Sequence, residues 1–219
     1  MKDLRSWLKT SLGQAFLNAE IKAMGPILET LFGYYFLVLG EAPFCNSVLK
    51  STISNRILIN PQAISSYPHV SSIRSRYDKL PILSNEVDVI YLAHCLEFIK
   101  NPHEVLREAF RSLTPEGHLI ISGFNPWSFC GLWRILSLYC KQAPWNGHFI
   151  SITRLIDWLA LLGFEVVLVK KYQISNAPWI FGGGGYVLLA RKQVITLTPI
   201  RPYWQTEKKA LDSELEPAA

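Results

Sequence analysis

Cysteine is scarce in this chain, and what there is does not pair. Cys45, Cys95, Cys130 and Cys140 are the only four among 219 residues. No two of them form C-x-x-C, and no histidine stands at zinc-ligand spacing from them. This argues against a zinc site and against a disulfide framework, and fits reduced thiols in the cytosol. Long apolar runs are missing too. The longest, Leu31 to Gly40, has about half the residues a membrane-spanning helix needs. The opening stretch MKDLRSWLKTSLGQ carries charges where a signal peptide needs its apolar segment. A soluble protein of the cytoplasm is expected. Charge of one sign is not massed anywhere. The 22 Lys and Arg against 17 Asp and Glu leave +5, but they are scattered, which reads as solvated surface and does not favour nucleic acid. The basic and aromatic segment RPYWQTEKK is too short to carry such a partner alone. Internal repeats and low-complexity tracts are absent.

What is present is core. Apolar residues make up 49% of the chain and there are seven tryptophans, enough for one large domain and too many for a disordered one. Residues 4 to 31 place Leu4, Trp7, Leu8, Leu12, Phe16, Leu17, Ile21, Met24, Ile27 and Leu31 at helical spacing, with an interruption expected at Gly25-Pro26. The period then changes. YYFLVL (34–39), RILIN (56–60), VDVIYLA (87–93) and HLIIS (118–122) read as buried strands. Between the last two, Asn101 caps a helix that starts at Pro102, with Glu104 at the capping-box position and Val105, Leu106, Ala109, Phe110 and Leu113 as its apolar stripe. TPEG (114–117) turns the chain into the next strand. Strand, helix, turn and strand make a βαβ unit, and the near-continuous apolar strands argue for a parallel sheet covered on both faces.

A second amphipathic helix is expected over 151–162, capped by Ser151 and ended by Gly163. FEVVLVKKYQI and GYVLLARKQV follow as an antiparallel pair. GGGG (182–185) lacks the Lys-Ser/Thr of a phosphate loop and reads as their connection. Trp133, Tyr139 and Trp145 cluster after the fifth strand, as core or as a lid.

LPILSNEVDVIYLAHCLEFIKNPHEVLREAFRSLTPEGHLIISGFNPWS (80–128) resembles the methyltransferase type 11 branch of the class I S-adenosylmethionine-dependent methyltransferases. The branch's L-P-F, L-x-H and P-G-G segments read here as Leu80-Pro81-Ile82, Leu92-Ala93-His94 and Pro115-Glu116-Gly117. LFGYYFLVLG, GFNPWSFCGLWR, TRLIDWLALLGFEV and LTPIRPYW resemble recurring segments of one bacterial subgroup, so the likeness spans about residues 7 to 204. It implies an α/β, doubly wound, mostly parallel seven-stranded sheet of order 3-2-1-4-5-7-6 with an antiparallel last hairpin. The organisation expected is an N-terminal helical cover (1–31), a methyltransferase-like domain (32–204) and a disordered tail (205–219).

The resemblance also implies S-adenosylmethionine as cofactor and, by motif position, a set of site residues. Gly40 matches the first glycine of the cofactor loop, but Glu41, Ala42, Pro43 and Phe44 follow in place of the later glycines, and Val38 replaces an acid. Asn60 stands where an acid meets the ribose, and Arg76 where another meets the adenine. Glu41, Tyr77 and Asp78 are the nearest substitutes. Ala93 and His94 line the cofactor after the fourth strand, and His94 is the candidate base. Asn125 and Trp127 are candidates for shaping the pocket of a small-molecule acceptor, although Asn-Pro is equally a plain turn. Cys95 beside His94 reads as packing. No metal is expected. A binding or scaffold protein that keeps the fold without methyl transfer is the alternative.

Overall fold

The computed structural model describes residues 2–62, 69–126, 147–173 and 184–193. Helix α1 (Lys2–Trp7) and helix α2 (Ser11–Glu29) lead into strand β1 (Tyr35–Leu39). A single 3-10 turn, Ala42–Phe44, and the one-turn helix α3 (Cys45–Val48) follow. Then come β2 (Asn55–Asn60), β3 (Ser71–Arg74) and β4 (Val87–Ala93). Helix α4 (Pro102–Ser112), β5 (Leu113–Phe124), helix α5 (Ile152–Leu162), β6 (Phe164–Tyr172) and β7 (Gly185–Lys192) complete the described chain.

The seven strands form one sheet of order β3-β2-β1-β4-β5-β7-β6. β1 to β5 pair in parallel, whereas β7 lies antiparallel to both β5 and β6. This is the order the resemblance implies. Because alternate residues point to opposite faces, β1 divides its side chains between two cores. Phe36 and Val38 join the cluster under α2, while Leu37 and Leu39 join the one under α4 and α5. Each such fully buried side chain contributes on the order of 1.5–3 kcal/mol.

The amino-terminal helix breaks at Leu8–Thr10, not at Gly25-Pro26. Thr10 caps α2 by accepting from the Gly13 amide at 3.1 Å. A Cβ on Gly13 would come within 2.3 Å of the Trp7 carbonyl oxygen, so the sharp corner requires glycine there. Pro26 lies inside α2. Leu12, placed on the apolar stripe by periodicity, is exposed.

TPEG is not a free turn. It lies within β5, where the pairing with β4 shifts register between Val87 and Val89 and Glu116 takes φ 64°. The segment is a bulge, in which extra residues on one strand face fewer on its partner. Asn101 does precede α4, but its side chain makes no cap to the backbone and instead donates from Nδ2 to the Glu104 carboxylate at 3.2 Å. Ser151 caps α5 by accepting from the Arg154 amide, and Gly163 ends it at φ 88°. The expectations for Trp127, Trp133, Tyr139, Trp145, Gly182, Gly183, LTPIRPYW and the tail concern positions outside the described residues.

Candidate functional site

The carboxyl ends of β1, β2 and β4 stand side by side, and the chain there is joined tightly to itself. A Cβ at Gly40 would lie 2.7 Å from the Ala93 carbonyl oxygen and 2.8 Å from the Ala93 Cβ. Glycine is therefore required for the approach of β1 to β4, and the space beside it belongs to Ala93. The Gly40 carbonyl accepts from Asn60 Nδ2 at 2.7 Å and from the Tyr77 hydroxyl at 3.3 Å. Asn60 is fully buried, and its Oδ1 accepts from the Gln62 amide at 2.8 Å. Glu41 is 1% exposed and receives Arg5 of α1, whose Nε lies 2.9 Å away. The Arg5 contact fastens the first helix to the end of the first strand.

His94 lies deeper still. It has no exposed surface and sits between Phe44, stacked at 5.1 Å, Phe124 at 4.4 Å and Phe16 at 5.4 Å between ring centres. Its Nε2 meets Glu20 of α2 at 3.0 Å and its Nδ1 meets Glu97 at 3.2 Å. The same Glu20 carboxylate accepts from the hydroxyls of Tyr91 and, at 3.1 Å, Tyr172. Tyr91 in turn reaches Ser122 at 3.0 Å, and Glu97 accepts from the Phe124 amide at 2.5 Å. Burial alone would strip His94 of its proton. The two carboxylates outweigh that and hold its pKa up at about 9. Burial raises Glu97 above the usual carboxylate range and drives both tyrosines well up. The imidazolium spends both N–H groups on these acids and keeps no lone pair. In this arrangement it cannot act as a base.

Glu20 was not among the expected site residues. Its signal was present in the sequence: it falls within a stripe of Phe16, Leu17, Ala23, Met24 and Ile27, all buried on α2. A lone acid at helical spacing within apolar neighbours needs a buried partner.

Among the described residues, two clefts open at this edge. One, of about 300 Å³, is lined by Pro61, Arg76, Tyr77, Asp78, Ile99 and Asn101 together with Lys100. Asp78 is paired with Arg76, whose Nε donates to it at 2.8 Å and whose guanidinium holds the carboxyl below its usual range. Pro61 follows β2 and Ile99 follows β4, so this cleft straddles the end of β1. The second, of about 540 Å³, shares Ile99 and Lys100 and extends to the starts of α4 and α5. Neither touches Gly40, Asn60 or His94.

Of the expected residues, Tyr77 and Asp78 line the smaller cleft. Gly40, Glu41, Asn60, Ala93 and His94 come together, but as a closed cluster. Asn125 is buried at the end of β5, where its amide donates to the Gly184 carbonyl. Among the described residues no group of acidic, histidine or cysteine side chains could hold a metal, and no helix is long and apolar enough to cross a membrane.

Comparison with known proteins bears on the fold. Residues 32–121, running from before β1 into β5, match the family model described as a methyltransferase domain of type 11. The chain is 29% identical over 215 residues to the uncharacterized protein YafS of Escherichia coli strain K12, covering 93% of this chain and 86% of that one. Among solved structures it superposes on a methyltransferase of Thermotoga maritima described as S-adenosylmethionine-dependent, with TM-score 0.63 and 21% identity over 81% of this chain and 89% of the other. A Haloferax volcanii complex of a methyltransferase with the activator Trm112 gives TM-score 0.65 and 10% identity, over 88% of this chain and 97% of that chain. At these identities the two structures speak for the fold. The matched segment and the sheet order point the same way: residues 32–121 are similar to the methyltransferase type 11 domain, and the seven strands have that fold's order.

Proposed function

We propose that the chain is an S-adenosylmethionine-dependent methyltransferase of the cytoplasm, acting on a small-molecule acceptor, with the nucleoside end of the cofactor in the cleft between Pro61 and Ile99. The observation that carries this reading is the position of that cleft. In a doubly wound sheet the ligand crevice lies outside the carboxyl ends of the strands where the order reverses. Here the reversal is at β1 and β4, and the cleft lies over it with an ionised carboxylate, Asp78, and an amide, Asn101, on its walls. The carboxylate can accept from a nucleoside's hydroxyls or exocyclic amine, and the amide can also donate to a ring nitrogen, while Ile99 and Pro61 offer apolar surface. Bound, the cofactor would supply a methyl group on a sulfonium leaving group. The chain's own contribution would be placement and exclusion of water.

The residues beside Gly40 fit that cofactor less well. Ala93, Asn60 and Tyr77 use the glycine's surroundings, Arg5 neutralises Glu41, and Phe44 lies over His94. Room for a methionyl end would require Phe44 and α1 to move. This favours a second reading, in which the nucleoside cleft serves a binding protein without methyl transfer.

Isothermal titration with S-adenosylmethionine, S-adenosylhomocysteine and adenosine tests both. All three should bind, and Asp78→Asn should weaken each about tenfold, the worth of one charge-assisted hydrogen bond. No heat from any of them at millimolar concentration ends the first reading. Binding of adenosine with no gain from the methionyl end would leave the second.

A further inference from the structure

From the larger cleft we infer a binding site for a small organic anion, a carboxylate or phosphate carried on an apolar, ring-sized body. As the acceptor pocket of a methyltransferase it rests on the function proposed above. The cleft measures about 540 Å³, within the range of small-ligand sites. It adjoins the nucleoside cleft through Ile99 and Lys100, which line both.

Its charge is of one sign. Lys100 and Arg154 line it, with His103 and His148 beside them, and among the described residues no Asp or Glu does. Glu104 and Asp157, acids on the same two helices, are absent from its walls, and Glu104 is engaged by Asn101. The basic side chains come from two stretches: Lys100 and His103 from the loop after β4 and the start of α4, and His148 and Arg154 from the approach to α5 and its first turn. Scattered surface charge does not converge in this way. The first turns of α4 and α5 both reach the cleft through His103 and Arg154. Each helix therefore adds the positive end of its dipole.

The apolar half is equally specific. Trp158 forms a wall, with the His103 ring centre 4.0 Å from its own and the Arg154 guanidinium 5.1 Å over it. Phe149 faces the cleft on another side. A tryptophan held by two basic groups offers a flat surface with donors at its edge, which suits a planar acid. The rim is fixed to the rest of the protein, since the His148 amide donates to the Glu97 carbonyl at 2.7 Å.

The experiment follows the Trp158 indole N–H resonance, assigned with Trp158→Phe, while the full chain is titrated with phenylacetate, phenyl phosphate, phenylacetamide and phenethylamine. Phenylacetate or phenyl phosphate should shift the resonance, and whichever binds tighter identifies the anion. Phenylacetamide should bind at least tenfold more weakly, and phenethylamine should not shift the resonance. Arg154→Gln should cost the anions about tenfold and leave phenylacetamide unchanged. Equal binding of acid and amide overturns the proposal, as does no shift with either anion at about 10 mM, roughly ten thousand times the Kd of a micromolar ligand. No cofactor is present in this titration, so its failure is separate from a failure to bind S-adenosylmethionine.

Discussion

Glu20 and His94 lie 74 positions apart in the chain and 3.0 Å apart in the fold, and neither has any exposed surface. The contact ties α2 to the end of β4. It places a positive group and two carboxylates where a methyltransferase of this branch is expected to meet its cofactor. The centre of the expected site is thereby filled by buried, mutually bonded side chains, and the two clefts lie beside it.

Stability should fall as pH rises. Folding raises the His94 pKa from 6.5 to about 9, so the folded chain holds this proton more tightly than the unfolded one. The contribution is complete below about pH 6.5 and is lost through pH 9. Glu97, also raised, acts in the same direction from its own lower range. Denaturant midpoints between pH 6.5 and 9 should decline for the native chain and decline less for His94→Gln. Equal slopes would mean that the histidine carries no buried charge.

Removing one partner should cost more than the contact is worth. Glu20→Ala leaves a buried imidazolium and two tyrosine hydroxyls without their acceptor, a loss of about 3–5 kcal/mol. Adding His94→Ala to it should cost less than the sum of the two changes. Strict additivity in urea unfolding would show that the two residues do not interact.

Gly40→Ala separates packing from binding. Its new Cβ meets the Ala93 backbone, so a destabilisation of about 1–3 kcal/mol is expected from overpacking. Adenosine affinity measured well below the melting temperature should be retained. A variant with native stability and no ligand binding would place the ligand against Gly40 after all.

Arg5→Ala tests whether α1 restrains access. Without the guanidinium, Glu41 loses its partner and α1 loses its anchor to the end of β1. If a methionyl end enters there, affinity for S-adenosylmethionine should rise several-fold while that for adenosine stays constant, because the competent state becomes more populated. An equal change for both ligands would refute the idea that α1 gates one end of the site.

Legibility differed between elements for identifiable reasons. β4 spans Val87–Ala93, as VDVIYLA indicated, because a fully buried parallel strand must be apolar on both faces. α5 begins after Ser151 and ends at Gly163 because capping is local chemistry. The corner at Leu8–Thr10 was hidden, since it depends on Gly13 fitting under the Trp7 carbonyl. β3, Ser71–Arg74, was also hidden, being four residues of SSIR with little apolar pattern. Tyr77 and Asp78, expected as substitutes near the motif position held by Arg76, line the smaller cleft together with that arginine. The groups lining the larger cleft were not legible, because Lys100, His103 and Arg154 each look like ordinary surface charge along the chain.

By itself the sequence determined the long apolar strands, the two helices α4 and α5 and the likeness to a methyltransferase domain, because these follow from periodicity, flanking residues and motif order within short stretches. Only the tertiary structure decided what surrounds His94 and which charges share a cleft. Those outcomes depend on which distant side chains are brought out of water together, and a buried charge takes its meaning from its neighbours in space.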